Sequence, residues 1–178
     1  IMSYLTNPYM VSTPCVDATY ENLPSETLIG RVLSTSGNRI GMGFRPDSSH
    51  VMYEKLIKSV KFQLDNDNAS PTQTIYARVR DSSGAIVDTF GTLDASTLTS
   101  SPVEYTFNTT EIQMSAGDFI TIEYDYANPQ IQVRVYRTAT ASYIANASTL
   151  VSTSSITSWA GFYDYDWFYV WLECDYCS

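Results

Sequence analysis

Three cysteines, a single histidine and a scatter of acids are the side chains of this chain that could do chemistry. Cys174 and Cys177 stand close to the C-terminal end in the stretch CDYC, and Cys15 lies near the opposite end. A C-x-x-C pair can exchange disulfides, but a redox pair normally opens a helix and this one closes a strand-like run. A zinc site would need Cys15 and His50 to complete it. A disulfide from Cys15 to Cys174 or Cys177 is the better reading, tying the first segment to the last. One thiol is then left over for pairing between molecules. The alternative, a tight Cys174–Cys177 ring with Cys15 free, stays open.

The acids offer less. LDNDNAS carries Asp65 and Asp67, and YDYD carries Asp164 and Asp166, all oxygen donors of the kind calcium uses. Calcium takes six to eight oxygens, and no complete loop motif is present. A solvated polar turn is the simpler reading, and no cofactor is expected. His50 follows Ser48 and Ser49, yet adjacency in sequence does not build a nucleophile–base pair. No nucleophile elbow accompanies the one histidine, and no two acids read as a glycosidase pair. The expectation is a protein that is not an enzyme.

Composition narrows the class. The 178 residues suit one domain able to bury its own core. Charged residues make up 16%, below the roughly one quarter that is usual, and aromatic residues reach 13%. Together with much Ser and Thr, that mixture suits pleated sheet. The net charge is −9, and the three lysines (Lys55, Lys58, Lys61) sit in one short stretch. No basic stripe exists to release counterions from a polyanion, which argues against nucleic acid as a partner. No run approaches the roughly 18 apolar residues of a membrane helix, so no membrane span is expected. The chain begins at Ile1 rather than Met, which points to a processed N-terminus.

Alternation with period two recurs along the chain. KSVKFQL sets Val60, Phe62 and Leu64 against Ser59, Lys61 and Gln63. TIYARVR turns Ile75, Ala77 and Val79 inward and Tyr76, Arg78 and Arg80 outward. DSSG, with Gly84 free to take positive φ, then reverses the chain into AIVDTF. VEYTF, the turn AGD at 116–118, FITIEYDY and QIQVRVYR continue the pattern, with Ile120, Ile122 and Val133 facing inward. Helical spacing occurs at most in HVMYEKLI (50–57). Short strands punctuated this often predict an all-β, antiparallel two-layer sandwich of jelly-roll type. Residues 1–26, with Pro8, Pro14 and Pro24, read as an N-terminal arm or donor strand, and 27–178 as the sandwich. Phe168 and Val170 are expected in the core.

The order DSSGAIVDTFGTLDASTL, then EYTF, then AGDFITIEY resembles jelly-roll domains, similar to carbohydrate-binding modules, of secreted archaeal and bacterial surface and filament proteins. The resemblance covers roughly residues 56–138. It implies the architecture and an extracellular setting, with roles ranging from sugar binding to adhesion and filament building.

Outside that block lie the two most distinctive segments. In the tail, parity places Phe168, Val170, Leu172 and Cys174 on one face and Tyr163, Tyr165, Trp167, Tyr169 and Trp171 on the other. Only one face of a sandwich strand meets the core, so the second set is expected to form an interface or ligand platform, unless the arm covers it. Flat rings with a polar edge suit both sugars and protein partners. In the arm, Tyr4, Leu5, Tyr9, Met10 and Val11 would fill a neighbour's pockets if the arm added as a strand to its sheet edge. Sequons at Asn108 and Asn146 are glycosylation candidates fitting a secreted surface. The leading expectation is an extracellular structural subunit that assembles with copies of itself into a filament, tube or surface layer. The rival is a carbohydrate-binding or adhesion module, with glycans as partners, using the aromatic stripe.

Overall fold

The computed structural model describes residues 16–21, 28–33, 40–50, 52–108, 111–124, 131–137, 147–152, 159–161, 166–168 and 170–176. Side chains are described for 33, 40–50, 52–108, 111–124, 131–132 and 159–160. Over these residues the chain is all-β. Its strands are β1 (Val16–Glu21), β2 (Leu28–Leu33), β3 (Gly41–Pro46), β4 (Leu56–Asp65), β5 (Thr74–Arg80), β6 (Ile86–Asp94) and β7 (Val103–Phe107). They continue as β8 (Ile112–Gln113), β9 (Phe119–Tyr124), β10 (Ile131–Arg137), β11 (Ala147–Ser152), β12 (Trp159–Gly161), β13 (Asp166–Phe168) and β14 (Val170–Tyr176). A 3-10 turn at Ala95–Thr97 joins β6 to β7. HVMYEKLI, the one stretch with helical spacing, is instead a turn that runs into β4, with Glu54 at φ 53°. Among the described residues no helix is long and apolar enough to cross a membrane.

The strands form two antiparallel sheets. One has eight strands in the order β1-β14-β4-β10-β13, with β2 on β10 and with β7 and β8 on β4. The other has six, in the order β12-β11-β3-β9-β5-β6. In the first sheet β4 and β10 pair directly only at Leu64–Val133 and Asp65–Gln132. Beyond that point β10 takes β13, with Val135 opposite Phe168, and β4 takes β14, with Phe62 opposite Val170. The ring-rich tail is therefore woven into the sheet at the split between two strands. The segment read as an arm or edge strand contains β1, which lies antiparallel along β14 from Val16–Tyr176 to Glu21–Trp171.

Alternation locates the core. Val60, Phe62, Leu64, Ile75, Ala77, Val79, Ile120 and Ile122 are fully buried, and they join Met42, Phe44 and Tyr124 in one hydrophobic cluster drawn from both sheets. Full burial of each large apolar side chain stabilises by about 1.5–3 kcal/mol before chain entropy is counted. One break in alternation has a specific cause. Glu173 opposes Ser59 while Cys174 opposes Ile57, so Lys58 is an extra residue in β4. A bulge reverses parity, which lets Ile57 and Val60 both enter the core. The expected turns are present: Gly84 (φ 90°) and Gly117 (φ 85°) both adopt the left-handed region. The Asp81 carboxylate accepts from Ser83 N, Ser83 Oγ and Ala85 N, which holds its pKa below the usual carboxylate value.

His50 closes the turn after β3. Its Nδ1 accepts from Met52 N at 3.1 Å and its ring packs edge-on against Phe44 at 5.3 Å. Burial lowers its pKa below 6.5, against a weaker opposing pull from Asp47. Above pH 6.5 the ring is neutral in both folded and unfolded chains; below it, the unfolded chain takes up a proton that the fold resists. Stability should therefore be full above that pH and decline as pH falls through it. The thermal midpoint, followed from neutral pH towards pH 5, should drop more steeply in the wild type than in His50→Gln. Parallel curves would show that this histidine does not carry the slope.

Candidate functional site

The six-stranded sheet buries more than its core face. All six residues of β9 are buried, so Phe119, Thr121 and Glu123, which point away from the core residues Ile120, Ile122 and Tyr124, are also shielded from water. Register explains what gathers there. Across the six strands, one row runs Trp159, Ser152, Gly41, Glu123, Tyr76, Thr92. The next row runs Gly161, Leu150, Gly43, Thr121, Arg78, Thr89. In the row beyond, Arg80 opposes Phe119; directly opposed residues share a face, so two β5 arginines are delivered beside a β9 carboxylate.

Glu123 is the centre of this cluster and is fully buried. Its Oε1 accepts from Arg80 Nε at 2.6 Å and Thr121 Oγ1 at 2.6 Å. Its Oε2 accepts from Arg80 Nη2 at 2.9 Å and Arg78 Nη1 at 2.7 Å. Four donors saturate a carboxylate, and the Arg80 pair is bidentate, the strong geometry for this contact. Arg80 Nη1 also donates to Gly84 O at 2.5 Å, which ties the β5–β6 turn to the same site.

Rings enclose the ions. The Arg78 guanidinium lies 3.9 Å from the Tyr76 ring centroid. Trp159 packs edge-on against Phe119 at 5.2 Å, with the Arg80 guanidinium 5.6 Å from the indole and Arg45 5.0 Å from Phe119. Gly41 makes room for the indole, because a Cβ there would meet Trp159 Cη2 at 2.7 Å. Chemically the site is a tie. With four donors on its two oxygens, Glu123 joins β9 to β5, and through Arg80 to the 81–85 turn.

The residues singled out from sequence lie elsewhere. Arg78 and Arg80, read as outward, do leave the core face, but Arg80 is buried because Glu123 and Trp159 enclose it. Asp65 ends β4 and Asp67 lies in the β4–β5 loop. Asp65 Oδ1 accepts from Asp67 N at 2.9 Å and Asp67 Oδ1 accepts from Gln132 Nε2. Asp67 and Asn68 have φ of 49° and 54°, and Ala69 N donates to Asn66 O, which makes a type I′ turn. Among the described residues no group of three or more His, Cys, Asp or Glu is placed to hold a metal. Asn108 is exposed just after β7. Trp167, Trp171, Asp166 and Cys174 are described as strand positions only, Trp171 opposite Lys61 and Cys174 opposite Ile57. Tyr4, Leu5, Tyr9, Met10, Val11, Cys15, Asn146, Tyr163, Asp164, Tyr165, Tyr169 and Cys177 lie outside the described residues.

Trp159, Glu123 and Gly41 were missed by sequence reasoning. The available signal was weak: an acid alternating with the inward residues of FITIEYDY, and two outward arginines in TIYARVR, with nothing in the sequence to make the two strands neighbours.

No family model matches the chain, and neither a curated protein nor a solved structure matches it.

Breaking a buried ion pair by removing one partner leaves the other charge uncompensated and typically costs about 3–5 kcal/mol. Glu123→Gln should destabilise the fold by about that amount in urea unfolding. Arg78→Met should cost clearly less, since the Arg78 side chain keeps 16% exposure and Arg80 retains the bidentate contact. Equal losses from the two variants, or a Glu123→Gln protein as stable as wild type, would contradict the tie.

Proposed function

We propose that this chain is a non-enzymatic, extracellular structural protein, a two-layer jelly-roll subunit that assembles with copies of itself. In this reading the N-terminal residues of one subunit add as a strand to an open sheet edge of the next. One observation carries it. The exposed large hydrophobic residues among those described are Ile86, Val87 and Val103, at 51%, 48% and 42% exposure, and all lie on β6 and β7. β6 is the last strand of the six-stranded order, and β7 pairs only with β4. Each therefore has a described strand on one side only, and the 3-10 turn between them brings the ends of both sheets to one region.

An apolar, unpaired edge is a template for another chain, and proteins that remain monomeric usually blunt it with charge or proline. β6 has two register irregularities against β5, whereas β7 pairs with β4 over Val103–Phe107 without any. The regular β7 edge is the better acceptor. The sandwich architecture is supported by the single hydrophobic cluster fed from both sheets. A head-to-tail contact of this kind propagates into a filament or tube unless rotation closes it into a ring. The rival glycan-platform reading rests on Tyr163, Tyr165, Trp167, Tyr169 and Trp171, whose side chains lie outside those described.

Lysine on an exposed edge position should leave the fold within about 0.5 kcal/mol of wild type. Val103→Lys, and Ile86→Lys with Val87→Lys, should keep that stability and abolish or strongly reduce large particles in sedimentation and electron microscopy. Deleting residues 1–14 should have the same effect. Variants that assemble like the full chain would exclude these edges as acceptors, and a wild type that stays a 20 kDa monomer at every concentration would end the structural reading.

A further inference from the structure

We propose that Arg45, seated on the Phe119 ring beside Trp159, binds the carboxylate of an acidic sugar. The site does not depend on assembly. Arg45 follows the core residue Phe44 on β3, so it projects to the face of the six-stranded sheet that carries Glu123. Its guanidinium lies 5.0 Å from the Phe119 centroid, inside the roughly 6 Å of a cation–π contact. Trp159 packs on the same ring at 5.2 Å. Phe119 is fully buried, whereas Arg45 and Trp159 are each only half-buried. A guanidinium and an indole therefore both reach the surface over one ring, close enough for a small ligand to touch both.

Charge pairing singles out Arg45. The ion pairs described on this face run from Arg78 and Arg80 to Glu123, and none reaches Arg45. Its Nε is buried and has no hydrogen-bond partner among the described residues. Water is thus kept from one side of the cation. A partly desolvated charge attracts a counter-ion more strongly than a fully hydrated one.

The geometry also sets the ligand class. Burial closes Nε to a ligand, which leaves the Nη1–Nη2 edge of this half-buried side chain open. That edge matches the two oxygens of a carboxylate in the planar, two-bond arrangement guanidinium favours. A phosphate or sulfate dianion would call on a second cation, but Arg78 and Arg80 are committed to Glu123. The net charge of −9 further opposes multiply charged ligands. The indole supplies an apolar face for the C–H side of a sugar ring, next to the group that reads its acid.

The test titrates the full chain with sodium galacturonate, galactose or sodium acetate, at an ionic strength held with sodium chloride. NMR follows the Arg45 Nε–H and Trp159 Nε1–H resonances, in a Val103→Lys background if the wild type assembles. Galacturonate should shift both saturably with a midpoint of about 1 mM, and galactose neither. Acetate should move Arg45 alone, at roughly tenfold higher concentration. Arg45→Lys keeps the charge but loses the fork, so the indole shift should need roughly tenfold more galacturonate. Equal shifts from galactose or from sodium chloride would overturn the site, as would an Arg45→Lys protein that binds galacturonate like the wild type. Acetate binding as tightly as galacturonate would overturn the assignment to a sugar.

Discussion

The carboxylate of Glu123 is the interaction on which the six-stranded sheet depends. A strand in a sandwich ordinarily spends one face on the core and gives the other to water. β9 gives neither, and what it buries on the second face is a charge, which is tolerated only when that charge is paired and fully hydrogen-bonded. Arg80 and Arg78 supply the pairing from β5, Thr121 adds a hydroxyl from β9 itself, and Arg80 extends the tie to the turn at Gly84. Trp159 then completes the enclosure from β12, on the far side of β3, where Gly41 leaves space for it. One buried acid thus links strands from one end of the sheet almost to the other. Such a tie favours one register over others, because a slip of one residue in β5 would carry both arginines to the core face.

Much of the core was legible in the sequence, and the reason is period two. Val60, Phe62, Leu64, Ile75, Val79, Ile120 and Ile122 alternate with polar residues, and each is buried. The DSSG and AGD turns were legible because only a few residues tolerate positive φ. Alternation says which face a residue takes, but not what covers the second face. Arg78 and Arg80 therefore read only as outward, because their shared partner lies 45 and 43 residues along the chain. The bulge at Lys58 was hidden for a related reason: an extra residue is defined by its partner strand, β14, more than a hundred positions away. HVMYEKLI had helical spacing, but it is shorter than an isolated helix needs, and sheet pairing of its last residues prevailed.

The functional reading rests on the opposite constraint, strand edges along which no second described strand lies. β4 is satisfied on both sides, by β14 and β10 on one and by β7 and β8 on the other, whereas β6 and β7 have one described partner each. The exposed apolar side chains lie on those same two strands. Backbone edge and apolar surface are the two contributions that strand addition draws on, the first for hydrogen bonds and the second for side-chain pockets. Burying that surface in a neighbour has to outweigh the ordering of the added segment, which favours a regular acceptor such as β7 over the irregular β6.

Amide hydrogen exchange compared between dilute subunit and assembled material tests that account most directly. Amides of the Val103–Phe107 edge that face away from β4 should exchange readily in the dilute subunit and become protected on assembly, with β9 protected in both. Unchanged exchange along β7 and β6 in material that has assembled would contradict the account, and would place the contact on another surface.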